Sequence, residues 1–275
     1  MNTEKRNYIG LVVIAVTLTS FLWACSTVPI TGRRQFTLIP ESELMAMSFT
    51  QYSQFLQESK LSTNKEQTAL VKNVGTRISV AVEKYFADKG LSNQLANFQW
   101  EFNLIEDDTP NAWCMPGGKV VFYTGILPIT KDEHGIAVVM GHEIAHAVAK
   151  HGSERMSQQL GVQFGAVALS AILAEKPQET QNLYMMAYGA TSQMALILPY
   201  SRTHEYEADR LGLIFMAMAG YDPSAAVDFW SRMAALSGRG SSMAFLSTHP
   251  SDEARIRNLQ KVLPEAMSYY QPATR

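Results

Sequence analysis

This chain of 275 residues predicts a mainly helical protein with a small β-sheet, an α+β arrangement. Three observations support that class. Apolar residues recur at three- and four-residue spacing through most of the sequence. Strand-like alternation is confined to residues 98–124. The apolar fraction is 47% against 17% charged residues, which suits a globular chain with a core rather than a disordered one. The net charge of -2 leaves no basic footprint, so nucleic acid is not an expected partner. With two cysteines, Cys25 and Cys114, the chain is no disulfide scaffold.

At the N-terminus, Lys5 and Arg6 precede an apolar run over 8–24, the layout of a secretory signal, with an uncleaved anchor as the rival reading. Leu22-Trp23-Ala24-Cys25 resembles a bacterial lipobox, which predicts cleavage before Cys25 and a lipid anchor on it. Ser26 suits sorting to the outer membrane, so the expected location is the cell envelope, as an outer-membrane lipoprotein facing the periplasm. Residues 25–40, with Pro29, Gly32 and Pro40, read as a tether. One domain is expected over 41–265, with a tail over 266–275.

Within that domain, Leu44, Met47, Phe55 and Leu56 predict an amphipathic helix over 41–57. Leu70, Val74, Ile78, Val82 and Phe86 form a stripe that predicts a second helix over 67–89. Phe98, Trp100, Phe102 and Leu104 alternate as a strand does, 107–110 is a turn, and 119–124 reads as a buried strand entered through Gly117-Gly118. A helix is expected over 132–150, capped by Thr130 or Asp132 and closed by Gly152. The apolar run 162–173 reads as a buried helix, and the Met-rich stretch 183–198 as core packing. Further helices are expected over 204–219, 223–235 and 253–263.

The chemistry concentrates in the 132–150 helix. His142 and His146 are four residues apart, so both imidazoles leave the same face and can ligate one metal. Glu143 lies beside the first of them. This His-Glu-x-x-His pattern on a helix is a zinc metalloprotease signature. Largely apolar flanks bury the helix, and buried histidines need partners. On a continuous helix His151 would lie roughly 140° beyond His146, which places it elsewhere, as a residue favourable at the helix C-terminus. A third ligand must come from a later helix. Glu205 and Asp209 share a face there, so Glu205 can ligate while Asp209 orients a ligand histidine. Glu207, roughly 200° from Glu205, is expected on a solvated face.

Taken together, these segments resemble the M48 zinc metallopeptidases, the Ste24- and HtpX-like gluzincins with their periplasmic lipoprotein relatives. The resemblance rests on Thr31-Gly32-Arg33-Arg34-Gln35, the Asn111 to Gly118 segment, Gly141-His142-Glu143-Ile144-Ala145-His146, the Pro199 to Asp209 segment and Thr248-His249-Pro250, in family order. It implies a zincin-like fold, one zinc per chain held by His142, His146 and Glu205, and Glu143 as general base. It also implies His249 and Arg255 as catalytic groups near the site, and Gly118, Lys119, Val120 and Val121 as a strand holding the substrate backbone. His249 as a turn residue, Arg255 as a surface charge and Cys114 as a small buried hydrophobe are the plainer alternatives. The tetratricopeptide domain of some relatives and the spanning helices of others are expected to be absent. The function implied is cleavage of unfolded or misassembled envelope proteins, with envelope assembly machinery or a second copy as partners. The alternative is a zinc-bound chaperone or assembly factor whose latent protease is gated by His249; a purely structural zinc lipoprotein is the third option.

Overall fold

The computed structural model describes residues 25–28, 30–237, 244–250 and 252–272. The expected signal segment lies outside them. Cys25 opens β1 (Cys25–Thr27), which pairs antiparallel with β2 (Arg34–Phe36), Cys25 opposite Phe36. Val28 is fully buried and the Leu38 amide donates to Ser157 Oγ at 2.8 Å. The segment expected as a tether therefore packs onto the body.

Helices α1 (Glu41–Glu58) and α2 (Lys65–Asp88) fall where the apolar stripes place them. The Asn64 side chain accepts from the Gln67 amide at 3.1 Å and caps α2. Its buried face carries Val71, Val74, Ile78, Val82 and Phe86. That face lies on a three-stranded sheet of β3 (Glu101–Ile105), β4 (Ala112–Met115) and β5 (Lys119–Tyr123). The order is β3-β5-β4, with β5 parallel to β3 and antiparallel to β4. No strand is expected at β4, a short run half-buried beyond Ala112. Its turn to β5 uses Gly117 and Gly118 at φ 86° and 85°, a left-handed geometry that glycine adopts without a Cβ penalty.

After a single turn, α3 (Leu127–Thr130), the Asp132 side chain accepts from the Gly135 amide at 2.9 Å and starts α4 (Glu133–Val148). Lys150, with φ 61°, then breaks the backbone, and α5 (His151–Leu173) sets off in a new direction. The expected closure at Gly152 is thus corrected: Gly152 lies in the first turn of α5. There follow α6 (Gln178–Ser192), a π-helical link Gln193–Ile197, α7 (Leu198–Met218), α8 (Ala225–Ser237), α9 (Ala244–Thr248) and α10 (Glu253–Met267).

The buried α4 is the centre of the core, and α7 lies directly against it. Two glycines permit the approach. A Cβ on Gly141 would stand 2.7 Å from the Gly212 carbonyl oxygen, and one on Gly212 would stand 2.8 Å from the His142 amide nitrogen. Expectations for 162–173 and 183–198 are corrected. Phe164, Val167, Ile172, Met186 and Met194 are each at least 66% exposed. Helices α5 and α6 form a hairpin, tied where Tyr188 Oη donates to the Val162 carbonyl, and their outer faces meet solvent. Apolar content alone does not say which face a helix buries. Among the described residues no helix is long and apolar enough to cross a membrane.

Candidate metal centre

The close α4–α7 crossing sets His142 and His146 of one helix against Glu205 and Asp209 of the other. His249 arrives from the end of α9. His142 Nε2 lies 3.1 Å from His146 Nε2 and 3.3 Å from Glu205 Oε2, and His146 Nε2 lies 3.3 Å from Glu205 Oε1. His249 Nδ1 closes the group, 3.1 Å from both His142 Nε2 and Glu205 Oε2. One donor atom from each of the four lies within 4.8 Å of the others. Three imidazole nitrogens gathered about one carboxylate fit a small divalent cation, by donor type and by spacing.

Burial sets the charges. Desolvation acts hardest on His146 and His151 and holds both well below the ordinary imidazole pKa, so they are neutral. Burial also pulls on His142, but the hydrogen bonds it donates to Asp209 and Glu205 outweigh burial and the repulsion of Arg255, leaving a pKa of about 9 before any cation binds. Glu205 stays ionised despite burial, because His146, His142 and His249 surround it. Burial raises Glu143 above the usual carboxylate range. Its Oε1 is buried without a hydrogen bond, 3.4 Å from His249 Nε2. Glu143 also borders a cleft of about 560 Å³, which His146, His249, Ala112, Trp113 and Cys114 help to line.

Asp209 accepts from the other side of the ligand shell: His142 Nδ1 lies 3.0 Å from its Oδ1. Arg255 spends its guanidinium on Asp209 at 2.7 and 2.8 Å, on Glu205 at 2.9 Å and on the Pro250 carbonyl at 3.1 Å, over the Trp230 ring. It is 2% exposed and does not line the cleft, so it lies behind the donors, neither the surface charge nor the cleft-facing group expected. The expected substrate strand is corrected too. β5, with Lys119, Val120 and Val121 buried, is the central strand, and β3 and β4 occupy both its hydrogen-bonding edges. Among the described residues, β4 pairs with β5 alone, and it is β4 that faces the cleft beside α4. Gly118 serves the turn. Cys114 stands outside the donor cluster, and burial raises its thiol pKa well above the ordinary value.

His151 and Glu207 are the residues the sequence reading misplaced. His151 is buried, with Nδ1 2.8 Å from His146 Nδ1 and Nε2 2.8 Å from Glu207 Oε2. The helix does not run on through His151: the left-handed Lys150 turns His151 back toward His146. Glu207 does leave α7 on another face from Glu205, but there it meets His151, Thr31 and Arg33.

The model for peptidase family M48 matches residues 74–263, and the chain belongs to that family. It is 36% identical over 242 residues to the mitochondrial metalloendopeptidase OMA1 of Schizosaccharomyces pombe, which covers 87% of this chain and 66% of that one. It is 30% identical over 244 residues to the mitochondrial OMA1 metalloendopeptidase of Homo sapiens, covering 87% of this chain and 46% of that one. To the putative beta-barrel assembly-enhancing protease of Vibrio cholerae it is 35% identical over 159 residues, 56% of this chain and 33% of that one. The chain thus spans less than two thirds of these relatives. The expected M48 membership is borne out. The expected outer-membrane, periplasm-facing location is corrected, because the relatives matched over 87% of the chain are named for mitochondria.

Proposed function

We propose that this protein is a zinc-dependent endopeptidase in which His142, His146 and Glu205 hold the metal and Glu143 is the general base. One observation carries the reading: the two α4 histidines meet the α7 carboxylate at 3.3 Å beside a buried, unpartnered oxygen of Glu143, a residue that borders the cleft. Zinc, when bound, is a Lewis acid that lowers the pKa of water to about 7. Glu143 Oε1 takes the proton of the attacking water and returns it to the leaving amide nitrogen. The free edge of β4 pairs with an extended substrate backbone, which selects unfolded or misassembled protein segments over folded ones. The relatives' names, a metalloendopeptidase and an assembly-enhancing protease, support a protein substrate.

His249 favours a gated form of this enzyme. Its Nδ1 lies among the donor atoms, so it competes there with any further ligand, while its Nε2 lies 3.4 Å from Glu143 Oε1. Casein cleavage by zinc-loaded wild type, His249→Ala and Glu143→Gln, compared side by side, tests both points. Gating predicts that His249→Ala cuts faster than wild type. The general base predicts that Glu143→Gln retains zinc and loses about 10²–10⁴-fold in rate. Zinc-loaded Glu143→Gln cutting at the wild-type rate would refute the mechanism; no cutting by any of the three would favour a chaperone.

A further inference from the structure

The segment Thr31-Gly32-Arg33 takes no part in the reaction above, yet it reaches the metal centre by an unbroken hydrogen-bond chain. With His146 ligating through Nε2, which lies in the donor cluster, its proton is on Nδ1 and is donated to His151 Nδ1, 2.8 Å away. His151, accepting at Nδ1, donates from Nε2 to Glu207 Oε2 at 2.8 Å. Glu207 also accepts from Arg33 Nε at 2.7 Å and from the Thr31 hydroxyl. The same guanidinium forks onto the fully buried Glu154, at 2.7 and 3.1 Å. Glu154 accepts from His204 Nε2 at 2.9 Å, and the His204 ring stacks on His151 with centroids 4.3 Å apart and planes 13° apart.

These bonds determine one another. An ionised Glu207 requires the proton of His151 on Nε2, which leaves Nδ1 to accept, which in turn keeps the His146 proton on Nδ1 and its Nε2 lone pair free for a metal. The β1–β2 connection is itself fixed: the Gly32 amide donates to the Val28 carbonyl at 2.8 Å, the Val28 amide to the Arg33 carbonyl at 2.7 Å, and Val28 is fully buried.

We propose that Arg33 is a positioning residue for the metal ligand His146, acting through Glu207 and His151, which makes the N-terminal hairpin a clasp on the metal centre. The inference rests on the reading of His146 as a ligand. Outer partners of ligand histidines set ring orientation and basicity, and their loss typically costs 10–100-fold, about that range, in metal affinity.

The test measures zinc affinity of Arg33→Gln, Glu207→Gln and the exposed control Arg34→Gln by competition with a chromophoric chelator. The absorption bands of the cobalt(II)-loaded proteins and the melting temperature of each metal-free protein are recorded alongside. Arg33→Gln and Glu207→Gln should bind zinc about 10–100-fold more weakly and shift the cobalt bands, while Arg34→Gln matches wild type on both. A lower metal-free melting temperature with unchanged zinc affinity and cobalt bands would show a merely structural role and overturn the proposal. Should Arg33→Gln fail to fold, Glu207→Gln and Thr31→Val decide by the same readouts. His142→Ala binding zinc as tightly as wild type would instead sink the metal-centre reading, and the clasp with it.

Discussion

Gly141→Ala tests whether the helix crossing builds the metal centre. The new Cβ would stand 2.7 Å from the Gly212 carbonyl oxygen, where ordinary contact begins at 3.4 Å. Both partners are helix backbone and neither can rotate away, so α4 and α7 must part by about 0.7 Å, an overpacking that costs about 1–3 kcal/mol. The same movement carries Glu205 and Asp209 away from His142 and His146. Metal sites hold their ligand distances to about ±0.2 Å, so a shift of this size should weaken binding by at least roughly tenfold. Denaturant unfolding of the metal-free protein reads the first effect, and zinc competition at constant pH reads the second. Wild-type stability together with wild-type zinc affinity would refute the argument. Lost stability with intact affinity would show that the crossing supports the core without placing the ligands.

Glu205→Ala removes the single carboxylate among the four donors, and elemental analysis after dialysis should find less than one zinc per chain; stoichiometric retention would reassign the ligand. Asp209 contributes to the acid limb of stability: burial works against its ionisation, but Arg255 and His142 hold its folded pKa below the ordinary 3.8. Its contribution is complete above that value and is lost as pH falls through the lower, folded pKa. Melting temperatures of metal-free Asp209→Asn should therefore fall less steeply than wild type on acidification below about pH 4, and parallel curves would contradict this. Trp230, 1% exposed, lies with Arg255 3.3 Å over its ring. Trp230→Ala should cost about 3–5 kcal/mol in chemical denaturation, and a change under 1 kcal/mol, roughly the surface range, would deny it a core role.

By itself the sequence determined the helices, because a helical stripe is a local property: α2 and α4 lie where apolar spacing and the Asn64 and Asp132 caps put them. It also determined that His142, His146, Glu205 and Asp209 belong together in pairs, since four-residue spacing is a fact about one helix. What packs against a given face is a relation between segments far apart, and only the tertiary structure decided it. Thus Met186 and Phe164, apolar enough for a core, stand exposed. Likewise Arg255, an ordinary charge in sequence, lies buried across Trp230, and the unsignalled β4 took the sheet edge that β5 was expected to offer. His151 shows the physical reason most directly: one left-handed residue, Lys150, ended the helix on which its direction had been reckoned, and a histidine expected to face elsewhere became the partner of His146.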